Sequence, residues 1–177
     1  MTQNPTALPV RQLSIQRASA IKKNWVVKDA DGAVLYQADW KLAALVTPWV
    51  VTKDGVEVAT MRRKPWSLSE PTWTVTTPGD GDFEIRGQLF SILRRTYVAG
   101  SALDGATLTG SLTDWSFRIE RDAALIAEAD RRMFTISHKH GIHLHDQSLQ
   151  AELLTTLMLV QALVEQAKTL ARMKFDA

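Results

Sequence analysis

The sequence predicts a mainly β fold, in which a meander of roughly a dozen antiparallel strands is followed by one hydrophobic C-terminal helix that the strands surround. Two observations predict it. Short apolar segments alternate with turn formers from residue 11 to about residue 145, and the segment after Asp146 contains neither proline nor glycine until the chain ends. With 177 residues, 45% of them hydrophobic, the chain has the size of one domain. We expect a flexible N-terminus over residues 1–10 and a single domain over residues 11–177.

The predicted strands are apolar and β-branched stretches of four to eight residues, among them those within TPWVVTK, PTWTVTT and DWSFRIE. Turn formers separate them, and Asp-Gly between alternating apolar runs, as at Asp54-Gly55, is a strong hairpin signal. One such unit recurs, because Trp49–Arg63 aligns with Phe117–Arg131 and places Asp54 against Asp122. A strand–turn–strand unit that recurs within one domain favours a closed or pseudo-symmetric sheet.

The last segment predicts a helix over about residues 148–172. Asp146 or Ser148 can cap its start, and the basic residues Lys168, Arg172 and Lys174 near its end complement the helix dipole. From Leu153 to Val164 the only polar residues are two threonines and one glutamine, so nearly every face is apolar and must be covered, with Leu153, Leu157 and Met158 in the core. The apolar stretch is shorter than the roughly 20 residues of a membrane span, so we expect no transmembrane segment.

Four motifs follow one another along the chain: D-x-D-G-x-x-L from Asp29, V-x-x-x-D-G-x-x-V-A-x-x-x-x-K ending at Lys64, P-W-S-L-S-E-P-T-W-x-V from Pro65, and W-S-F-R-I-E-R from Trp115. With these motifs in this order, the chain resembles the LURP-one-related family, within the tubby-like and phospholipid-scramblase-like superfamily, from about Trp25 to Gln166. The resemblance implies a bacterial-type member with a closed barrel of about twelve strands that encloses the helix, the tubby C-terminal-like fold. The family has no agreed activity, but some tubby-like relatives bind phosphoinositides and some scramblase-like relatives associate with membranes.

Clustered basic residues form the candidate ligand site, namely Arg62, Arg63, Lys64, Arg94 and Arg95. If they gather on one rim, they would bind a phosphate or an anionic headgroup, because guanidinium groups match phosphate oxygens. The alternative is scattered rim charge that is paired with acidic residues such as Glu57 and Glu70. Before Asp29 the chain also has five basic residues and no acidic one. This favours an acidic lipid surface or, alternatively, an edge strand on which lysines discourage unwanted pairing.

All four histidines fall in one window, His138, His140, His143 and His145. Two H-x-H pairs on a strand could direct imidazoles at one metal, which makes a metal-dependent enzyme the alternative function. Strand alternation, however, places the two pairs on opposite faces unless Gly141 forms a bulge, and two ligands are too few for a tight zinc site. Because the usual nucleophile, metalloprotease, phosphate-loop and dinucleotide signatures are also missing, we expect no catalytic residue, no metal and no cofactor.

The function that the sequence favours is a non-enzymatic binding or scaffold module, with weak binding of anionic lipid or of a phosphate-bearing ligand. Its expected partner is an anionic lipid surface or a protein. Nucleic acid is not expected, because acidic residues outnumber basic ones after residue 28. The chain has no cysteine, which excludes disulfides, thiolate metal sites and lipidation at cysteine. We expect a cytoplasmic protein that is peripheral at the membrane.

Overall fold

The computed structural model describes residues 10–18, 24–41, 48–65, 70–79, 81–88, 94–101, 103–112, 114–129 and 140–175, which form twelve strands and one helix. The strands are β1 (Arg11–Arg17), β2 (Asn24–Asp29), β3 (Val34–Trp40), β4 (Trp49–Lys53), β5 (Val56–Arg63), β6 (Thr72–Thr77), β7 (Gly81–Gln88), β8 (Arg94–Ala99), β9 (Thr107–Ser111), β10 (Ser116–Arg121), β11 (Ala124–Ala129) and β12 (His140–Leu144). The helix is α1 (Leu149–Phe175).

The sheet is a closed barrel. Each strand pairs antiparallel with its neighbour in sequence, and β1 pairs with β12, where Leu13 lies opposite Ile142. The predicted closed antiparallel barrel of about twelve strands is therefore confirmed. The predicted flexible N-terminus, apart from Val10, lies outside the described residues.

The helix lies inside the barrel. The consecutive residues Leu157, Met158, Leu159 and Val160 project at intervals of about 100° around the helix axis, and each is at most 1% exposed. A helix that is buried on every face must be surrounded by other parts of the protein, and the closed sheet surrounds it. The helix begins one residue later than predicted and continues to Phe175. Ser148 caps its start, since its Oγ accepts a hydrogen bond from the Ala151 amide at 3.2 Å.

Because successive strands run in opposite directions, the barrel has two chemically distinct ends. The connections β2–β3, β4–β5, β6–β7, β8–β9 and β10–β11 lie at one end, which we call the turn end; β1 and the helix also begin there. The connections β1–β2, β3–β4, β5–β6, β7–β8, β9–β10 and β11–β12 lie at the other, which we call the loop end. The helix runs from the turn end to the loop end.

The repeated hairpin predicted from the sequence is visible in the structure. Both copies have a register shift at the equivalent position, between Val51 and Thr52 in β4 and between Ile119 and Glu120 in β10. The turns correspond as well, because the two aligned aspartates have positive φ angles, 52° at Asp54 and 50° at Asp122. The sequence alignment therefore identifies two copies of one bulged hairpin.

We expect Ala123→Gly to stabilise the protein. Ala123 has a φ of 63°, at the position where the other copy has Gly55 with a φ of 77°. A Cβ in the left-handed region costs roughly 1–2 kcal/mol, and the substitution removes this cost. Part of the resulting gain in stability is offset because glycine has greater conformational freedom in the unfolded chain. The expected net gain of about 0.5–1 kcal/mol corresponds to a rise of roughly 1–4 °C in Tm, measurable by thermal unfolding.

The reciprocal control is Gly55→Ala, which should lower Tm because it introduces the same Cβ at the equivalent turn position. There is room for that methyl group, since nothing lies within 4 Å of the added Cβ, so the expected loss comes from backbone conformation alone. Shifts of the same sign in the two variants would contradict the explanation.

Candidate functional site: the basic end of the barrel

The ionisable residues are divided between the two ends of the barrel. The turn end has mostly acidic residues: Asp29, Asp31, Asp54, Asp82, Asp104, Asp122 and Asp146. The loop end has mostly basic ones, and we call this set the basic end: Arg17, Lys41, Arg62, Arg63, Lys64, Arg94, Arg95 and Lys168. Because successive strands run in opposite directions, these basic residues lie at the same end of the barrel although their strands are far apart in sequence. The division gives the barrel an electric polarity along its axis.

The helix extends the basic end beyond the sheet. Its burial ends at Glu165, while Ala167, Lys168 and Ala171 are exposed. Ten further helical residues follow Glu165, and at 1.5 Å per residue they reach about 15 Å farther along the axis. This segment includes the basic residues Arg172 and Lys174 in its sequence. The basic end therefore consists of a rim of strand ends and a projecting helical segment.

Glu165 fixes the helix to the barrel wall at the basic end. Its side chain is 9% exposed, and Oε1 accepts hydrogen bonds from Arg63 Nε at 2.9 Å and from Trp73 Nε1 at 3.0 Å. Lys168 Nζ lies 3.5 Å from the same oxygen and 5.2 Å from the centre of the Trp73 ring. Arg63 alternates with the buried residues Ala59 and Met61, so it faces the barrel interior. Arg63 thus has a structural partner.

Lys64 forms an ion pair on the outer wall of the barrel. Its ammonium pairs with Glu84, whose other carboxylate oxygen lies 2.7 Å from Arg86 Nη2. The hydrogen bond from Lys64, and after it the one from Arg86, hold the pKa of Glu84 below its ordinary value. Beside them Tyr97 Oη donates to Glu70 Oε1 at 2.6 Å, which raises the pKa of Tyr97. This part of the wall is close to charge balance.

Arg62 and Arg95 are the two exposed arginines of the predicted set whose side chains have no ion pair among the residues that the structure describes. They lie on β5 and β8 with β6 and β7 between them, so three interstrand spacings separate their strands, about 14 Å. Arg94 begins β8, opposite Gly110. The structure thus brings the five predicted residues to one end of the barrel and distributes them around its rim, with carboxylates bound to Arg63 and Lys64.

A second buried carboxylate, whose partners the sequence did not indicate, holds the helix at the turn end. Glu152 is 1% exposed; Tyr36 Oη donates to its Oε1 at 2.8 Å, Lys53 Nζ lies 3.2 Å away, and Arg11 pairs with Oε2. Burial, and next the hydrogen bond to Glu152, raise the pKa of the Tyr36 hydroxyl. The sequence pattern that could have indicated this anchoring is the pair of glutamates, Glu152 and Glu165, at the two ends of the apolar segment. Their role is to fix both ends of the enclosed helix.

The histidine window does not form a metal centre in the part of the chain that the structure describes. Strand β12 pairs with β1 without a register shift at Gly141, placing His140 opposite Ile15 and His143 opposite Gln12. The strand therefore has no bulge at Gly141 of the kind that would bring the two histidine pairs to one face. His145 Nε2 lies 3.1 Å from Glu128 Oε1, and His138 is outside the described residues. Among described residues no group of three or more His, Asp or Glu could hold a metal ion.

No helix among the described residues is long and apolar enough to cross a membrane. The same helix that was predicted to be too short for a span is the one enclosed by the barrel.

Comparison with known proteins supports the fold and the family. The family description LURP-one-related matches residues 11–159, which is most of the chain. A solved X-ray structure of a protein from Arabidopsis thaliana superimposes with a TM-score of 0.60 over 87% of this chain and 91% of that one, at 15% sequence identity. At this identity the likeness concerns the fold. No curated protein matches the chain significantly. From the family match and the twelve-stranded barrel around its helix, the chain belongs to the LURP-one-related family.

Proposed function

We propose that this protein is a non-enzymatic binding module whose basic end binds anionic, phosphate-bearing groups on a lipid surface. One observation carries the proposal: the strand order collects Arg62, Arg63, Lys64, Arg94 and Arg95 at the end where the basic helical segment projects, while aspartates concentrate at the opposite end. An anionic surface attracts the first end and repels the second. The protein would therefore associate peripherally, with the helix axis directed toward the surface.

The binding is expected to be weak and reversible. Each basic residue near an anionic membrane contributes about 1 kcal/mol, and salt screens that contribution within a Debye length of about 10 Å at 0.1 M. Arg63 and Lys64 already neutralise Glu165 and Glu84, so Arg62 and Arg95 are expected to carry much of the attraction. Raising the salt concentration should release the protein completely.

The test is vesicle co-sedimentation of Arg62→Ala/Arg95→Ala beside the parent protein. Two lost contacts at about 1 kcal/mol each should weaken partitioning onto phosphatidylcholine–phosphatidylserine vesicles roughly 30-fold. The matched control is Arg118→Ala/Arg121→Ala, which removes the same formal charge from β10, away from the basic end. Arg63 is left intact because its removal would leave the buried Glu165 carboxylate without a guanidinium partner.

The arms of the experiment separate the possible outcomes. Equal sedimentation with pure phosphatidylcholine vesicles, or equal losses in both double variants, would contradict the proposal. Competition by inorganic phosphate at constant ionic strength distinguishes a site for single phosphate groups from attraction to a charged surface. Elemental analysis of untagged protein tests the enzymatic alternative, because stoichiometric metal that is lost in His143→Ala/His145→Ala would favour a metal-dependent enzyme.

A further inference from the structure

A cavity of about 170 Å³ lies at the turn end, opposite the basic end. Five apolar side chains line it: Phe83 at the start of β7, Leu103 in the β8–β9 connection, and Leu153, Leu154 and Leu157 on the first turns of the helix. Leu154 and Leu157 are buried, whereas Phe83, Leu103 and Leu153 are half-buried. The cavity is therefore apolar at its base and accessible to solvent between the connections and the helix.

The dimensions match a small organic molecule. A dry apolar cavity of about 150 Å³ lined by Leu, Ile and Phe is large enough to bind benzene, so about 170 Å³ accommodates a six-carbon chain or ring. The polar side chains on its lining, Thr77, Ser101 and Gln150, are uncharged and can hydrogen-bond to a ligand head group. Apolar walls with a few neutral polar groups are typical of small-molecule sites.

The charges around the cavity select the head group. Asp104 is exposed and directly follows the lining residue Leu103, and none of the described residues that line the cavity is basic. Asp104 is held at this position, because its Oδ1 accepts a hydrogen bond from the amide of the lining residue Gly100 at 2.7 Å. The rim therefore disfavours an anionic head group.

We propose that this cavity is a binding site for a small amphiphile with a neutral or cationic head and an apolar tail of about six carbons. The tail packs against Phe83, Leu154 and Leu157, and the head stays at the rim near Asp104. The site is independent of the lipid binding proposed for the basic end, since it lies at the other end of the barrel and prefers the opposite charge.

The experiment is an NMR titration of ¹⁵N-labelled protein with hexylammonium, 1-hexanol and hexanoate, which each have six carbons and differ in charge. We expect saturable shifts at the amides of Gly100, Ser101, Leu103 and Leu153, with millimolar dissociation constants appropriate to ligands of about seven or eight non-hydrogen atoms. Hexylammonium should bind about three-fold more tightly than hexanoate at low salt. The difference should shrink at high salt. Shifts that do not saturate for any of the three, or that saturate at other residues, would overturn the site.

Two tryptophan variants test the location. Leu153→Trp should fill the cavity and weaken hexylammonium binding about ten-fold or more, because an occupied cavity cannot accept the tail. Its control is Leu149→Trp, one helical turn earlier at a position that is 69% exposed, which should leave binding unchanged. If Leu153→Trp does not fold, Ser101→Trp in the β8–β9 connection blocks the same cavity. Equal binding by parent and cavity variants would refute the site, and tighter binding of hexanoate would refute the predicted head group.

Discussion

Met158→Asp is expected to prevent folding. Met158 is 0% exposed in the middle of the enclosed helix, where a carboxylate would meet barrel side chains in every direction. An uncompensated buried charge costs about 3–5 kcal/mol, and loss of the methionine side chain costs about 2–5 kcal/mol more. The sum is comparable to the entire stability of a domain, about 5–15 kcal/mol. Circular dichroism and urea unfolding should show a chain without a cooperative transition.

Two further variants test whether the loss of folding is caused by burial of the charge inside the barrel. Met158→Leu nearly conserves volume and should cost less than about 1.5 kcal/mol. Leu153→Asp should be less damaging than Met158→Asp, because Leu153 is half-buried and borders the cavity at the turn end, where water can reach a carboxylate. A Met158→Asp variant that melts at the parent temperature would mean that the helix does not lie inside the barrel.

The barrel could be predicted from the sequence because its signals are local and repeated. Asp54 and Asp122 mark tight turns in two aligned hairpins, and the apolar segment from Leu153 to Val164 requires cover on all sides. Neither observation identifies which strand closes the sheet. The β1–β12 pairing joins the two ends of the meander. The repeated hairpin favoured a closed or pseudo-symmetric sheet, and only the family resemblance implied the closed barrel itself.

The candidate site was harder to predict because it depends on which face of a strand each side chain occupies. Arg62, Arg63 and Lys64 are consecutive, yet Arg63 enters the interior and Lys64 stays on the outer wall. The alternation with Ala59 and Met61 was a usable signal for Arg63. Its acceptor, Glu165, is 102 residues away, and no local pattern indicates such a pairing. The polarity of the barrel likewise depends on strand direction and on the connections between strands.

Gly110→Ala is expected to destabilise the protein by about 3 kcal/mol or more, since overpacking alone costs roughly 1–3 kcal/mol and a left-handed alanine about 1–2. Gly110 has a φ of 123° in β9, opposite Phe117. A Cβ there would lie 2.3 Å from the Ser116 carbonyl oxygen and 2.7 Å from Phe117 Cα. These are backbone atoms of the neighbouring strand, so no side-chain rotation can relieve the clash.

The damage should spread from β10 into the core. Phe117 packs edge-on against Trp115, with ring centroids 5.3 Å apart, and Trp115 Nε1 donates to the Gly141 carbonyl of β12 at 2.9 Å. Displacing β10 therefore disturbs contacts that link the three strands β9, β10 and β12 of the closed sheet. The matched control is Gly105→Ala, which has a φ of 80° but no atom within 4 Å of the added Cβ. Urea unfolding should assign only a conformational loss of about 1–2 kcal/mol to Gly105→Ala. Equal losses in the two variants would mean that the close approach of β9 to β10 contributes nothing to stability.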